Sequence, residues 1–503
     1  MIQVNKLVIF PFLFSIFPIL LLYSENVNEI PVAELVTPLL LTFLIVSLLF
    51  LVLNYILKSG IKAGLIITFL ATIFFSYGYI FNMLQETSLL DLGFVHQRYV
   101  IIPFAIVLVS VIYYLIRIKT ELTNFRSIFN VISVVMVFVM LFNIGTFYFE
   151  NESDIDEFSK IDFEYELSEI NLVNESMVNK TLPDIYHIVL DEYTSDKVLL
   201  EDFQFDNSYF IDQLLDSDFI VPTTTFANYP VTEQFMRSTL NMNYLDNQDY
   251  NRFDTEKMIS DNFVMKLLKQ NGYVVIIPYS GYGPHDRFND SDLNPCSDVL
   301  LLNSRFLTEL SRTTIVNYFA EKQIENERRH IQLCALSELE NIEQKYDRPV
   351  YVFAHLFIPH APYLFDKDGN PVTPQSNKLK GLQGWQDVDG YLNEIQFINK
   401  RIINLVNTIL SQQNESIIII QGDTGSSILN DPSIDNHIKK RLSILYAIHV
   451  PHTDEKMNYD DISPVNTYRM VFNHYFKTNL EILDNQYYWN DDNQIKDITD
   501  MIN

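Results

Sequence analysis

Five long apolar segments occupy the first 150 residues of the chain and constrain its fold more than any other feature. They are Leu7–Tyr23, Ala33–Leu57, Ala63–Leu84, Tyr99–Ile116 and Ile128–Phe149. Most of them approach the ~20 residues that an α-helix needs to cross a hydrocarbon core of ~30 Å. No small-residue cleavage site follows the first segment, so a removed signal peptide is disfavoured. Residues 1–150 are therefore predicted to form a transmembrane domain of five helices.

Charged residues in the connections predict the orientation of these helices. Basic residues precede the first segment, separate the second from the third, and separate the fourth from the fifth: Lys6, Lys58, Lys62, Arg117, Lys119 and Arg126. The other two connections carry Glu25, Glu29, Glu86 and Asp91 against Arg98. Short loops rich in Lys and Arg stay in the cytoplasm. The pattern predicts a multi-pass protein of the cell membrane with a cytoplasmic N-terminus and an extracytoplasmic C-terminal part.

The net charge of −28 is confined to the second part of the chain. Residues 1–150 contain seven Lys or Arg and seven Asp or Glu, so they carry no net charge. A part as acidic as residues 151–503 repels nucleic acid, which is therefore not expected as a partner. Residues 151–182 are rich in Asp and Glu and are predicted to be a juxtamembrane linker.

The two cysteines of the chain, Cys296 and Cys334, both lie in the acidic part. Outside the cytoplasm they could form one disulfide, and two free thiols are the open alternative. Neither belongs to a C-x-x-C pair of the kind that zinc ribbons and redox sites use.

Residues 183–488 combine short β-branched runs with amphipathic segments. The runs predicted as strands are Ile185–Leu190, Tyr273–Pro278, Val350–Phe353 and Ser416–Ile420. The segments predicted as helices are Asn207–Phe219, Phe263–Gln270, Arg328–Tyr346 and Leu392–Leu410. Continuous apolar strands that alternate with helices are typical of a mostly parallel sheet with helices on both faces. We therefore predict an α/β domain over residues 183–488 and a C-terminal tail at 489–503.

Polar side chains follow each predicted strand, where a sheet of this kind binds its ligands. In strand order they are Asp191 and Glu192, then His285 and Asp286, then His355 and His360, then Asp423 and Thr424. Carboxylates and imidazoles are ligands of zinc and manganese, so a divalent metal site is predicted there. Taken singly, an Asp after a strand is commonly a loop or capping residue, and His355 could be a buried core histidine.

Thr232 is the candidate nucleophile. It lies in the segment Asn228–Gln234, directly before a predicted helix at Gln234–Tyr244. A hydroxyl at a helix N-terminus lies beside unpaired N–H groups and the positive end of the helix dipole, which suit a bound phosphate. A metal ion alongside would lower the pKa of the hydroxyl. From the pattern alone, an ordinary N-cap threonine is the simpler interpretation.

Several separated motifs resemble the alkaline-phosphatase/sulfatase superfamily in the order expected for it. They lie at Pro183–Tyr193, Asn228–Leu245, His355–Asp366, Ile417–Gly425, Arg441–Ile448 and Ser463–Tyr475. The chain looks like lipoteichoic acid synthases and lipid A phosphoethanolamine transferases, bacterial membrane proteins that join five membrane spans to such a domain. The resemblance implies an alkaline-phosphatase-like fold that holds a divalent metal, zinc or manganese.

The resemblance also implies roles for individual residues. Asp191 and Asp423 are similar to carboxylate ligands of the metal, and Thr232 is similar to the nucleophile. His360 is similar to a histidine that contacts a second metal or the substrate phosphate, and His355 is a weaker match.

The chain departs from its relatives at one metal-binding position. They usually have Asp-His-Gly where this chain has Asp423-Thr424-Gly425. A threonine oxygen is a poor substitute for a neutral imidazole on zinc. Either Glu192 or another group fills the position, or the affinity for the metal is lower, or the domain no longer catalyses.

The resemblance implies a metal-dependent transferase with a phospholipid donor and an envelope glycan or lipid as acceptor. Phosphoethanolamine or phosphoglycerol would be transferred through Thr232. A phosphodiesterase or phosphatase with water as acceptor is one alternative, and a catalytically silent binding or scaffold domain is another, motivated by Thr424. Sulfate-ester hydrolysis is disfavoured because neither cysteine lies in the C/S-x-P-x-R motif of true sulfatases.

Overall fold

The computed structural model describes residues 7–27, 30–85, 97–118, 122–150, 182–245, 257–281, 288, 291–297, 305–342, 346–372, 387–412, 415–428, 433–451, 462–491 and 494–502. The chain divides into two compact units. The membrane unit comprises Met1–Glu157 and Leu300–Ile324, and the α/β unit comprises Phe158–Val299 and Glu325–Asn503. His285, Asp286 and residues 151–181 of the predicted linker lie outside the described residues.

The membrane unit begins with a series of apolar helices. They are α1 (Phe10–Glu25), α2 (Val32–Leu57), α3 (Gly60–Gln85), α4 (Gln97–Arg117) and α5 (Thr123–Glu150). Within the described ranges, α2 to α5 are long and apolar enough to cross a membrane. Helix α1 has 16 residues, and a helix of that length spans about 24 Å, which is less than a ~30 Å hydrocarbon core. The helices suggest a membrane anchor with four candidate spans, and a fifth span at α1 remains a prediction.

Helix α1 packs parallel to α5. At the start of α1, the side-chain oxygen of Asn130 accepts the N–H groups of Ile9 and Phe10 at 3.2 and 3.1 Å. These N–H groups are among those that the first turn of a helix leaves unpaired. At the other end, the Tyr23 and Tyr148 hydroxyls hydrogen-bond at 2.8 Å. The last turns of α1 and α5 therefore lie at the same end of the unit.

The remaining elements follow in chain order. The strands are β1 (Asp184–Leu190), β2 (Thr225–Phe226), β3 (Val274–Ile276), β4 (Val350–Leu356), β5 (Ser416–Gly422), β6 (Ser443–Ile444), β7 (Tyr446–His449), β8 (Tyr488–Asp491) and β9 (Gln494–Asp497). The helices are α6 (Asp196–Glu201), α7 (Ser208–Asp216), α8 (Thr232–Asn241), α9 (Phe263–Gln270), α10 (Arg305–Thr313), α11 (Asn317–Glu340), α12 (Val388–Leu410), α13 (Ile434–Leu442), α14 (Thr467–Tyr475) and α15 (Thr499–Ile502). A short 3₁₀ helix, Pro464–Asn466, precedes α14.

The central sheet is mostly parallel, as predicted. Among the described residues it has five strands in the order β3-β4-β1-β5-β7. Strand β1 pairs in parallel with β4 and β5, β3 pairs in parallel with β4, and β7 runs antiparallel to β5 at the edge. Every residue of β1, β4 and β5 is buried. Burial on both faces explains why these strands are continuous apolar runs rather than alternating ones.

Helices cover both faces of the sheet. Tyr186, Ile188 and Leu190 of β1 pack in a core that includes residues of α12. Ile185 and Val189, which alternate with them, pack in a second core with residues of α8, α9 and α14. The two cores follow from the alternation of side chains along a strand.

The C-terminal residues predicted as a tail are folded. Strands β8 and β9 pair as an antiparallel hairpin, and α15 follows them. The rings of Tyr488 and Tyr229 stack with centroids 5.1 Å apart, and the Tyr488 N–H donates to the Asn228 carbonyl at 2.9 Å. The buried side chains Tyr487, Ile498 and Ile502 hold this segment in place. The hairpin therefore supports the segment that leads into Thr232.

Candidate metal centre and nucleophile

The carboxyl ends of three neighbouring strands bring Asp191, His355 and Asp423 together. Asp191 directly follows β1, His355 is the penultimate residue of β4, and Asp423 directly follows β5. Since β1 lies between β4 and β5, all three side chains reach one edge of the sheet. One ligand atom from each lies within 4.8 Å of the others. An open parallel sheet binds its ligands at this edge.

The cluster has the chemistry of a divalent-metal site. The Nε2 atom of His355 lies 3.5 Å from Oδ2 of Asp191, and all three side chains are buried. Within the described part of the chain, Oδ1 of Asp191 has no hydrogen-bond partner. A buried carboxylate oxygen in that state is costly unless a cation binds it. Two carboxylates and an imidazole therefore fit a zinc or manganese ion.

Burial determines the charge state of the cluster. Burial raises the pKa of Asp191 well above its ordinary value, and the carboxylates of Asp423 and Glu192 raise it further. Burial lowers the pKa of His355 to about 4. His355 is therefore neutral at pH 7, the form in which imidazole binds metals. A divalent cation would offset the repulsion between the two carboxylates.

Thr232 is held against the cluster by Asp423. It is the first residue of α8 and follows Val231, which occupies the N-cap position, so Thr232 is not an N-cap residue. Its hydroxyl donates a hydrogen bond to Oδ2 of Asp423. The other carboxylate oxygen, Oδ1, accepts the N–H groups of Glu192 and Thr424 at 2.9 and 2.7 Å. These bonds fix the orientation of the Asp423 carboxylate and of the hydroxyl beside it.

Glu192 lies next to the cluster and is bound to cationic and polar groups. Its backbone is left-handed, with φ of 62°. Its Oε1 atom is 2.7 Å from the Arg441 guanidinium and 3.9 Å from Nε2 of His360, and Oε2 accepts the Ser427 hydroxyl at 2.9 Å. Burial acts to raise the pKa of Glu192, but His360, Arg441 and Ser427 together hold it below its ordinary value. Glu192 is therefore charged, and Arg441 compensates that charge.

Arg441 connects three loops of the site and was not singled out from the sequence. Besides Glu192, it donates to the carbonyl of Gly425 and, at 3.4 Å, to that of Pro230. Pro230 lies two residues before Thr232, and Gly425 lies two residues after Asp423. A Cβ on Gly425 would overlap the Lys440 carbonyl oxygen, which explains glycine there. In the sequence, Arg441 stands out only as the first residue of the motif Arg441–Ile448. Its partners are remote in sequence, so the motif does not identify them.

His360 and Thr424 lie beside the metal-type group. His360 packs its ring against Phe357, with centroids 4.5 Å apart, and faces Glu192. Thr424 is fully buried, and its hydroxyl lies 3.5 Å from Oδ1 of Asp423. Among the described residues, the structure thus groups His355 rather than His360 with Asp191 and Asp423. The imidazole comes from the weaker of the two sequence matches.

Comparisons with known proteins found one family model and several solved structures that resemble this chain. A model of the sulfatase family matches residues 183–453. The zinc complex of the C-terminal periplasmic domain of EptC from Escherichia coli is similar at 11% identity and a TM-score of 0.46, covering 65% of this chain and 95% of that one. Phosphoethanolamine transferase EptA from Neisseria meningitidis is similar at 13% identity and a TM-score of 0.38, covering 87% and 88%. A 2-O GAG sulfatase is similar at 8% identity and a TM-score of 0.39, covering 60% and 72%.

A search among curated protein sequences gave no match. The matched region of the sulfatase model exceeds half of the 503 residues and contains β1, α8, β4, β5 and the residues described above. The chain therefore belongs to the sulfatase family, within the alkaline-phosphatase superfamily, and carries apolar helices N-terminal to that domain.

Proposed function

We propose that the chain is a metal-dependent transferase that moves phosphoethanolamine or phosphoglycerol from a phospholipid to an envelope glycan or lipid. The observation that carries the proposal is the hydrogen bond from the Thr232 hydroxyl to Asp423, at the edge of a buried metal-type cluster. A hydroxyl in this setting suits nucleophilic attack on phosphorus. The apolar helices on the same chain motivate a lipid as the donor.

The chemistry follows from the positions of the side chains. Oγ of Thr232 forms a bond to phosphorus while the bond from phosphorus to the diacylglycerol oxygen breaks, and the hydroxyl proton passes through Asp423 to that departing oxygen. A hydroxyl of the acceptor then forms a bond to phosphorus while the bond from phosphorus to Oγ of Thr232 breaks, and the acceptor's proton passes through Asp423 to Oγ. The first N–H groups of α8 would donate to the phosphate oxygens. A zinc or manganese ion held by Asp191, His355 and Asp423 would lower the pKa of the Thr232 hydroxyl and balance the phosphate charge.

The same proposal places the α/β unit outside the cytoplasm of a multi-pass membrane protein. Cys296 and Cys334 form a disulfide with their Cα atoms 5.9 Å apart. Disulfides persist in oxidising compartments and are rare in the cytosol. The basic connections of the membrane unit support the same orientation.

Trapping the covalent intermediate tests the proposal. Full-length protein is mixed with vesicles that contain phosphatidylethanolamine or phosphatidylglycerol labelled in the headgroup, with zinc or manganese present. We expect label on Thr232 by peptide mass spectrometry, and its loss in Thr232→Ala. Thr239→Ala is the matched control, because Thr239 is a buried threonine of the same helix. Protein without label, and no labelled product released from the vesicles, would refute the proposal, and labelled headgroup phosphate released into water would indicate the hydrolase.

Thr424 favours a second candidate, a silent binding or scaffold domain. Its position beside Asp423 leaves three side chains in the metal-type group of the described residues. Metal analysis of the purified full chain separates the two functions. An enzyme should hold stoichiometric zinc or manganese after dialysis, whereas a silent domain should hold none.

A further inference from the structure

One segment of the chain between β3 and β4 belongs to the membrane unit. Residues Leu300–Ile324 belong to the same unit as the apolar helices, whereas the residues before and after them belong to the α/β unit. Helix α10 carries the first contact. Phe306 is fully buried among Ile19, Tyr23 and Phe75, and its ring meets that of Tyr23 edge to face at 5.9 Å. The Phe306 N–H donates to the Glu34 carboxylate at 3.0 Å.

A second contact brings two backbones together at α3. A Cβ on Gly78 would overlap the carbonyl oxygen of Arg312, so the approach requires glycine. The Ile315 N–H donates to the carbonyl of Phe74 at 3.3 Å, and the Ile315 side chain packs beside Tyr77 and Phe81. The segment therefore touches the last turn of α1, the first turn of α2 and the later turns of α3. These turns form one end of the membrane unit.

The disulfide brackets this segment. Cys296 precedes it and Cys334 follows it, at a sequence separation of 38. Both cysteines belong to the α/β unit, so the chain leaves that unit and returns to it at covalently joined points. A cross-link of this kind reduces the conformational freedom of the loop that it closes.

Exposed apolar side chains follow directly after the second contact. Val316 is 40% exposed and Phe319 is 74% exposed. Tyr79, Ile80 and Met83 on the last turns of α3 are exposed as well. The exposed apolar surface of the candidate spans therefore continues onto residues 316–319. Large exposed apolar surface that borders a membrane helix is typical of contact with lipid.

We propose that residues 305–319 are an interfacial segment, in which α10 docks on the membrane helices and Val316 and Phe319 enter the adjacent lipid leaflet. The partner is the bilayer surface, because the apolar surface of the membrane helices continues onto these residues. The contact holds residues 305–319 at the boundary of the membrane. It is independent of catalysis at Thr232.

Tryptophan quenching in the full chain tests the proposal. Trp385→Phe and Trp489→Phe remove the two native tryptophans, and Phe319→Trp adds a reporter. The protein is placed in phosphatidylcholine nanodiscs with or without bromine on the acyl chains. We expect bromine near the headgroup to quench the reporter indole at position 319 more than bromine near the chain ends, and iodide in the buffer to quench it weakly. Phe138→Trp, on the exposed surface of α5, is the positive control for lipid contact.

Two results would overturn the proposal. Strong quenching by iodide without quenching by brominated lipid would show that the turn lies in water. Protection from both quenchers would show that protein covers it, including a second copy of this chain. Val316→Trp serves as a second reporter if the Phe319 variant does not fold, as judged by circular dichroism.

Discussion

Replacing Arg441 with methionine removes a guanidinium and keeps most of the apolar stem of the side chain. In the native protein this group is 2.7 Å from Oε1 of Glu192 and also binds the carbonyls of Gly425 and Pro230. The Glu192 side chain is 4% exposed and that of Arg441 is 19% exposed. The substitution therefore leaves a buried carboxylate without the guanidinium that pairs with it, next to the carboxylates of Asp191 and Asp423.

The burial of the pair sets the size of the effect. Breaking a buried ion pair by removing one partner costs about 3–5 kcal/mol. The partial exposure of Arg441 places the expected loss near the lower end, at about 3 kcal/mol. For an α/β unit of about 320 residues, an unfolding entropy of about 2.1 cal/mol/K per residue makes each kcal/mol worth about 1.5 °C, so we expect the Tm to fall by roughly 4–5 °C.

The pKa shift of Glu192 predicts how the loss of stability in Arg441→Met depends on pH. The pKa of Glu192 lies below its ordinary value in the folded protein. Its ion pair therefore stabilises the fold above the ordinary pKa of a glutamate and is lost as the pH falls through the folded pKa. The deficit of Arg441→Met should be large at neutral pH and should shrink under acidic conditions, where Glu192 takes up a proton.

The assay is thermal unfolding of the full chain in detergent, without added metal. Arg401→Met is the matched control, because Arg401 pairs with Glu340 at 2.9 Å but both side chains are more than a quarter exposed. That variant should lose less than about 1 kcal/mol. In the double variant with Glu192→Gln, the Arg441→Met substitution should cost about 2 kcal/mol less than it does alone. Equal losses for Arg441→Met and Arg401→Met, or no coupling with Glu192, would refute the account of the site.

Three further predictions concern other parts of the molecule. Burial raises the pKa of Glu394 to about 8. Its ionisation therefore destabilises the fold progressively as the pH rises from about 4.5 to 8, by about 5 kcal/mol at most. Glu394→Gln should raise the Tm at about pH 9 and leave it nearly unchanged at about pH 4.5. Gly78→Val should raise the hydrogen-exchange rates of residues 305–315 at least tenfold, because the added Cβ would overlap the Arg312 carbonyl. Gly145→Val is the control and should leave these rates unchanged, since a Cβ at Gly145 meets no atom within 4 Å. Unchanged exchange rates in Gly78→Val would contradict the docking of α10. His355→Gln should weaken zinc binding at least tenfold in calorimetry and His360→Gln should change it less than threefold, whereas the reverse order would return His360 to the metal site.

The elements that the sequence predicts well are those with strong local patterns. The predicted helix Phe263–Gln270 has the same bounds in the structure, and the strands at β1, β4 and β5 begin within a residue of their predicted starts. Continuous β-branched runs and amphipathic helices can be recognised from a short stretch of sequence. The sequence predicts a helix at Arg328–Tyr346, whereas α11 spans Asn317–Glu340. The residues of α11 divide between two units along its length, so a single apolar period does not describe them.

The contacts that were missed join residues far apart in the chain. Helix α10 looks like any amphipathic surface helix, and nothing local shows that Phe306 packs on Tyr23. Arg441 is one of three basic residues at the end of α13, and only the folded chain shows which of them reaches Glu192. The departure at Thr424 is visible in the sequence, and His355 is among the candidate ligands there, but its position beside Asp191 depends on the pairing of β1 with β4.

The charges at the sheet edge fit a divalent cation although position 424 is not a histidine. Asp191 and Asp423 together carry the charge that one divalent cation balances, and neutral His355 adds a ligand without adding charge. The Thr232 hydroxyl is hydrogen-bonded to Asp423 and would offer a further oxygen to a bound cation. Glu192 would add an uncompensated negative charge if it joined the metal, and it would have to leave Arg441 to do so. The pairing of Glu192 with Arg441 therefore favours His355, from the neighbouring strand, as the group that supplies the missing imidazole.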